Sequence, residues 1–269
     1  QNYAAAEDLL NRLSADDIDA DHDLHLHDDL QQFLQEYEMH YKKTCRHGAS
    51  LQSLVPTAAY NRDSRGASRL IEAWPKSNAL TEAKAKDLLT ALGFAVDKVK
   101  KLAPVSRIEN FHVILKRPEN GQKNHYRHPI AAFGSEAENK GFRLVYLLGK
   151  SDTDRLIDTF EAIGSARPVL VVLDCALQLA QRRQLARKLK EEHSEGIFAV
   201  IDRVVITYLS AHYADTAVNR MLMALIMPFA YCQPYIEKSA DIIPPEMFIG
   251  RKEELDRIIS PTGANLVYG

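Results

Sequence analysis

The chain has 269 residues, 46% hydrophobic and 26% charged, with a net charge of −2. That composition suits a soluble globular chain with core enough for one large domain or two smaller ones. The near-neutral balance argues against a dedicated nucleic-acid binder, whose footprint is a basic excess. Cys45, Cys175 and Cys232 are widely spaced and odd in number, which suits free thiols in a reducing cytoplasm. Gln1 to Leu30 is acidic and lacks the apolar core of a secretory signal. The longest apolar run, Met221 to Cys232, is too short to span a bilayer. A cytoplasmic location and no membrane partner are therefore expected.

Residues 1–78 read as a helical, acidic N-terminal region. Glu7, Asp8, Asp16, Asp17, Asp19, Asp21, Asp23, Asp28, Asp29, Glu36 and Glu38 face a single base, Arg12, before residue 41. Ala4 to Leu13 reads as a helix, and Leu30, Phe33, Leu34 and Tyr37 mark a second amphipathic one. Between them, His22, His25 and His27 with Asp23 and Asp28 are competent metal ligands. Leu30 stands where an H-x-H-x-D-H metallo-hydrolase pattern needs its last histidine, and an acidic helix start on a solvated surface accounts for the same residues. Asn61 to Gly66 reads as a loop, and Trp74-Pro75 as a packed corner.

Residues 79–238 alternate elements. Ala85, Leu88, Leu89 and Leu92 form a helix stopped by Gly93. Phe111–Leu115 is a strand, Pro129–Phe133 a second candidate, and Phe142–Leu148 a buried one. A helix capped at Ser151 carries Leu156, Ile157, Phe160 and Ile163 and closes at Gly164. Pro168–Leu173 is a strand, a helix runs to about Glu192, and Ile197–Ile201 is a strand. Asp215 is expected to cap a last, buried helix bearing Val218, Met221, Leu222 and Leu225, which Pro228 limits. Short apolar strands between helices predict an α/β class: a Rossmann-like sandwich with a mostly parallel sheet, spanning about residues 94–206 with mostly helix before it.

Acids stand at or near the ends of three strands: Asp152 or Asp154, Asp174 and Asp202. Ligands of open α/β sheets bind beyond the carboxyl ends of the strands, so these acids could converge on magnesium. Alternatively, each caps the helix that follows it. Gly149-Lys150-Ser151 matches the end of a phosphate loop, but Leu144 occupies the place of its first glycine. Arg182, Arg183, Arg187, Lys188 and Lys190 line one helix and read as a solvated face; a nucleic-acid contact there is not excluded. The helix ending at Leu92-Gly-Phe94, followed by Val96, Val99 and Phe111–Lys116, resembles the restriction-endonuclease-like nuclease core. That family places an acid on one strand and E-x-K on the next. Here Val113-Ile-Leu-Lys116 lacks the acid, so a site of that kind would be decayed. His112, His125 and His128 are scattered, and no Ser/His/Asp order, C-x-x-C or H-E-x-x-H is present.

Residues 239–269 read as a linker and the start of a further domain. Pro244-Pro245 is an extended spacer, Gly250 to Ile259 a short helix, and Asn265–Tyr268 a strand after the Pro261-Thr-Gly263 turn. The box Phe248-Ile249-Gly250-Arg251, followed by Glu254-Leu255, this turn and this strand, resembles the entry to a P-loop ATPase of the AAA+/STAND kind. The resemblance covers about the last tenth of the chain. It implies that Gly269 stands at or beside the first glycine of the phosphate loop and that Phe248 to Arg251 lie against base and ribose. It also implies ATP and magnesium as cofactors of a longer protein, with no catalytic residue expected in this chain. The expectation is then a non-catalytic regulatory or sensor module ahead of the ATPase, in bacterial signalling or phage defence, with a protein partner or self-association. The alternative is an effector enzyme, nuclease-like or nucleotide-processing, gated by the ATPase; a third is an oligomerisation scaffold.

Overall fold

The computed structural model describes residues 50–54, 63–76, 80–105, 108–117, 128, 130–148, 153–164, 166–192 and 196–230. The expected helices before residue 50, the His22–His27 cluster, Gly149-Lys150-Ser151, Asp152 and everything from 231 onward, including Phe248 to Arg251 and Gly269, lie outside them.

Five strands form one sheet in chain order: β1 (Val96–Lys101), β2 (Glu109–Leu115), β3 (Phe142–Leu147), β4 (Val169–Leu173) and β5 (Phe198–Asp202). The expected α/β class is the observed one. The expected parallel pairing holds for β3–β4–β5, whereas β1 with β2 and β2 with β3 pair antiparallel. The reason is in the connections. Residues 102–108 are too few for the crossover that a parallel pair needs, and the described part of the link to β3 holds only short 3-10 turns, Ala131–Phe133 and Ser135–Glu138. Pro129–Phe133, expected as a possible strand, is thus corrected: Ala131–Phe133 is a 3-10 turn whose Phe133 packs edge-on against Phe142 at 5.3 Å.

Parallel strands require helices. α1 (Ser64–Ala73) and α2 (Glu82–Ala91) precede the sheet, α3 (Thr153–Ile163) and α4 (Leu179–Glu192) are its crossovers, and α5 (Arg203–Ala211) and α6 (Val218–Ile226) follow it. Alternation along the strands sorts the two faces. Val145, Leu147, Val169, Val171, Leu173, Phe198 and Val200 pack under α3 and α4. Phe111, Val113, Phe142, Leu144, Leu170, Val172, Ala199 and Ile201 share the larger core with α1, α2, α5 and α6. Leu51, Leu70, Ile71 and Trp74, on the N-terminal side of residue 78, belong to that same core.

Two further expectations are corrected. Asn61–Gly66 is not a loop throughout, because α1 starts at Ser64 with Asp63 as its N-cap, accepting from the Gly66 amide at 2.9 Å. Asp215 does not cap α6. Its N-cap is Ala217, with no side-chain bond, while Asp215 accepts from the Tyr213 hydroxyl at 3.4 Å. α5 was implied only by the capping reading of Asp202, with no residues of its own assigned. Its sequence, RVVITYLSA, is β-branched and apolar nearly all round, and nearly all of it is buried.

Candidate functional site

The carboxyl ends of β4 and β5 gather the charged groups that the sheet buries. Asp202 ends β5 and lies wholly inside. Its Oδ1 accepts from the Val205 amide at 3.0 Å, so it is the N-cap of α5. Its Oδ2 accepts from the Leu177 amide at 2.7 Å and from the guanidinium of Arg182. Capping, one of the two open readings, is what Asp202 does. It also anchors the turn after β4, through Leu177, and α4, through Arg182.

Asp174 follows β4 and is equally committed, though not as a helix cap. Its Oδ1 accepts from Arg203 Nε at 2.8 Å and from Trp74 Nε1 at 3.2 Å. Arg203, the first residue of α5, in turn donates its amide to the Cys175 carbonyl at 3.1 Å. The single indole therefore joins α1 to the end of the sheet through a hydrogen bond as well as through packing. Burial pushes the neighbouring Tyr146 phenol well above its usual range, the Asp174 charge adds to this, and Arg203 opposes it.

Asp154 stands apart. It lies in the first turn of α3, exposed, and pairs with Lys188 Nζ of α4 at 2.5 Å. The sheet-end acids thus do not share a point: Asp174 goes to Arg203 and Trp74, Asp202 to Arg182 and two amides, and Asp154 to Lys188 on the outer side. Among the described residues, no group of three His, Cys, Asp or Glu is placed to hold one ion. Cys175, buried beside Asp174, is in no disulfide.

The reading of α4 as a solvated basic face is corrected at one position. Arg183, Arg187 and Lys190 are exposed, but Arg182 is 2% exposed, its guanidinium lying 5.7 Å from the Phe229 ring. The missed residues are Arg182 and Arg203. A signal for Arg203 was present: one cation opening an otherwise apolar run is buried with that run and needs a partner.

Over the Asp174–Arg203 pair lies a cleft of about 150 Å³, lined by Ser50, Ile71, Trp74, Pro75 and Lys76 as well as the pair itself. It is smaller than the roughly 300–1,000 Å³ of ordinary ligand pockets. What the cleft can do chemically is limited by its acid, whose Oδ1 already takes two donors. Compared with known protein families, curated proteins and solved structures, the chain matches none. The assignment of function rests on this geometry and on the residues themselves. Among the described residues, no helix is long and apolar enough to cross a membrane.

Proposed function

We propose that this chain is a non-catalytic regulatory or sensor module that precedes a STAND-like ATPase, acting in the cytoplasm through a protein partner or self-association. The observation that carries the non-catalytic half is the commitment of Asp174 and Asp202 to buried guanidinium, indole and amide donors. A magnesium site needs carboxylate oxygens converging on one centre at 2.0–2.1 Å. Here each acid would have to surrender an arginine buried with it, at a cost of several kcal/mol. The ATPase half is supported by the order Phe248-Ile249-Gly250-Arg251, Glu254-Leu255 and Pro261-Thr-Gly263 before an apolar strand.

The chemistry of triphosphate binding sets the test. It requires a loop of backbone N–H groups, a lysine for the β- and γ-phosphates and a hydroxyl for magnesium. All would come after Gly269. Isothermal titration of ATP–magnesium into residues 1–269 is expected to show negligible binding. A polypeptide carrying about two hundred further residues, a normal domain's length, is expected to bind. In that longer protein, Gly250→Asp weakens binding by crowding the adenine side. Micromolar binding by residues 1–269 alone overturns the reading and returns attention to Gly149-Lys150-Ser151.

A further inference from the structure

The crossover helices cover only part of their sheet face. α3 and α4 arise between β3 and β5 and pack on those strands. β1 and β2 are reached through an antiparallel meander, so no helix of the described residues is laid over their far side. Register identifies what stands there. Lys98 is opposite Ile114, Lys100 is opposite His112, and His112 is opposite Arg143. Val99, Phe111 and Val113 point the other way, into the larger core. Lys98 and Lys100 are exposed and Arg143 is half-buried. Lys116, exposed, continues the alternation of β2 one step past its end and donates its amide to the Ala95 carbonyl at 2.7 Å.

From this arrangement we infer that the uncovered face of β1 and β2, with Arg143 at the start of β3, binds the phosphate backbone of a nucleic acid through Lys98, Lys100, Lys116 and Arg143. Three observations favour that partner. First, the exposed and half-buried register positions of this face are Lys98, Lys100, His112, Ile114 and Arg143, with no acid among them, while Asn110, Val145 and Leu147 on the same face are buried. One exposed acid, Asp97, adjoins this surface, next to Lys98 in the irregularity between Val96 and Lys98. Second, lysine on an edge strand is a common guard against edge pairing, but that does not explain Arg143, which lies on the third strand. Third, the exposed part of the face carries no aromatic anchor and is rich in lysine, which protein interfaces avoid at their centres; phosphate contacts need only cations and amides. The surface is also held in shape. His112 Nε2 meets the Lys140 carbonyl at 3.1 Å, and Gly141, at φ +65°, approaches so closely that a Cβ there would lie 2.3 Å from that nitrogen. Strand spacing of about 4.8 Å sets Lys100 and Arg143, two strands apart, roughly 10 Å from each other. The local surface is basic although the chain as a whole carries −2, so weak, sequence-independent binding is the expected kind. This inference does not depend on the ATPase reading.

The test is fluorescence anisotropy of a labelled DNA duplex of about twenty base pairs with residues 1–269, repeated over a salt series. Binding is expected in the micromolar range at low salt, with log K falling by about 3 per decade of salt for three to four neutralised phosphates. Lys98→Glu with Lys100→Glu is expected to raise Kd at least tenfold while Tm stays within a few degrees. Arg143→Gln, which leaves the edge strand untouched, is expected to raise it about threefold. Arg187→Glu with Lys190→Glu, on the solvated face of α4, is expected to leave it within twofold. Absence of binding by wild type at low salt, or an affinity unchanged in both face variants, overturns the proposal. Loss confined to the α4 variant, or labelled poly-glutamate bound as tightly as the duplex, also overturns it.

Discussion

Asp174 and Asp202 are the residues through which the chain closes its sheet. Capping alone would make an Ala replacement of either cost about 1 kcal/mol. Each pairs with an arginine as buried as itself, and removing one partner of such a pair typically costs about 3–5 kcal/mol, because the other charge is stranded. Asp174→Ala is therefore expected to lower the urea midpoint sharply. The double replacement Asp174→Leu with Arg203→Leu is expected to cost less than either single change, since no charge is left unpaired. A double variant as unstable as the sum of its parts would sink this account. His128 supplies the pH dependence. Burial lowers its pKa from 6.5 to about 4, so the folded state resists protonation that the unfolded chain accepts. The sign follows: stability is undiminished above pH 6.5 and falls as pH drops toward 4, by about 3 kcal/mol over the window. Melting temperature against pH should therefore fall more steeply for wild type than for His128→Gln between pH 6.5 and 4.

Elements meet most closely where glycine permits it. In α1, a Cβ on Gly66 would lie 2.1 Å from the Tyr213 ring, in the segment after α5. Helix propensity alone makes Gly66→Ala stabilising by about 1 kcal/mol. The contact reverses the sign, and a net loss is expected in chemical denaturation. Gly66→Ala combined with Tyr213→Leu should recover most of that loss, and failure to recover would place the strain elsewhere. Gly93 has φ +83° and ends α2, with Asn219 Cβ and Val218 Cγ1 each 2.9 Å from a built Cβ. The stop signal Leu92-Gly93 was legible from sequence as a C-terminal glycine; its second duty, letting α6 approach, was not, since α6 lies more than a hundred residues away. α5 could not be given bounds for a related reason. Its β-branched apolar run has no polar face from which a helical period could be read. The start of α1 was hidden differently, because Ser64-Arg-Gly-Ala-Ser carries turn-forming residues whose helix is set by the Asp63 cap and by burial of Ala67, Leu70 and Ile71.

At the scale of the molecule, the sheet is parallel where helices intervene and antiparallel where they do not. That division leaves the α3–α4 face covered over β4, β5 and the later part of β3, and it leaves Lys98, Lys100 and Arg143 accessible. The strand-end rule for open α/β sheets directs attention to the ends of β4 and β5. Tertiary structure filled that region with paired charges and a cleft of about 150 Å³.

The apolar strands and the helices α2, α3, α4 and α6 are legible in residue order, because burial periodicity and glycine stops are local signals. So were the acids after β4 and β5. What those acids do is not local. Asp174 and Asp202 have the same sequence context, an acid after four or five apolar residues. One caps its own following helix while the other reaches Trp74, a hundred residues back. The choice between them, and the antiparallel addition of β1 and β2, depend on which elements pack side by side. That is decided by shared burial across long separations, to which the identity of neighbouring residues in the chain is blind.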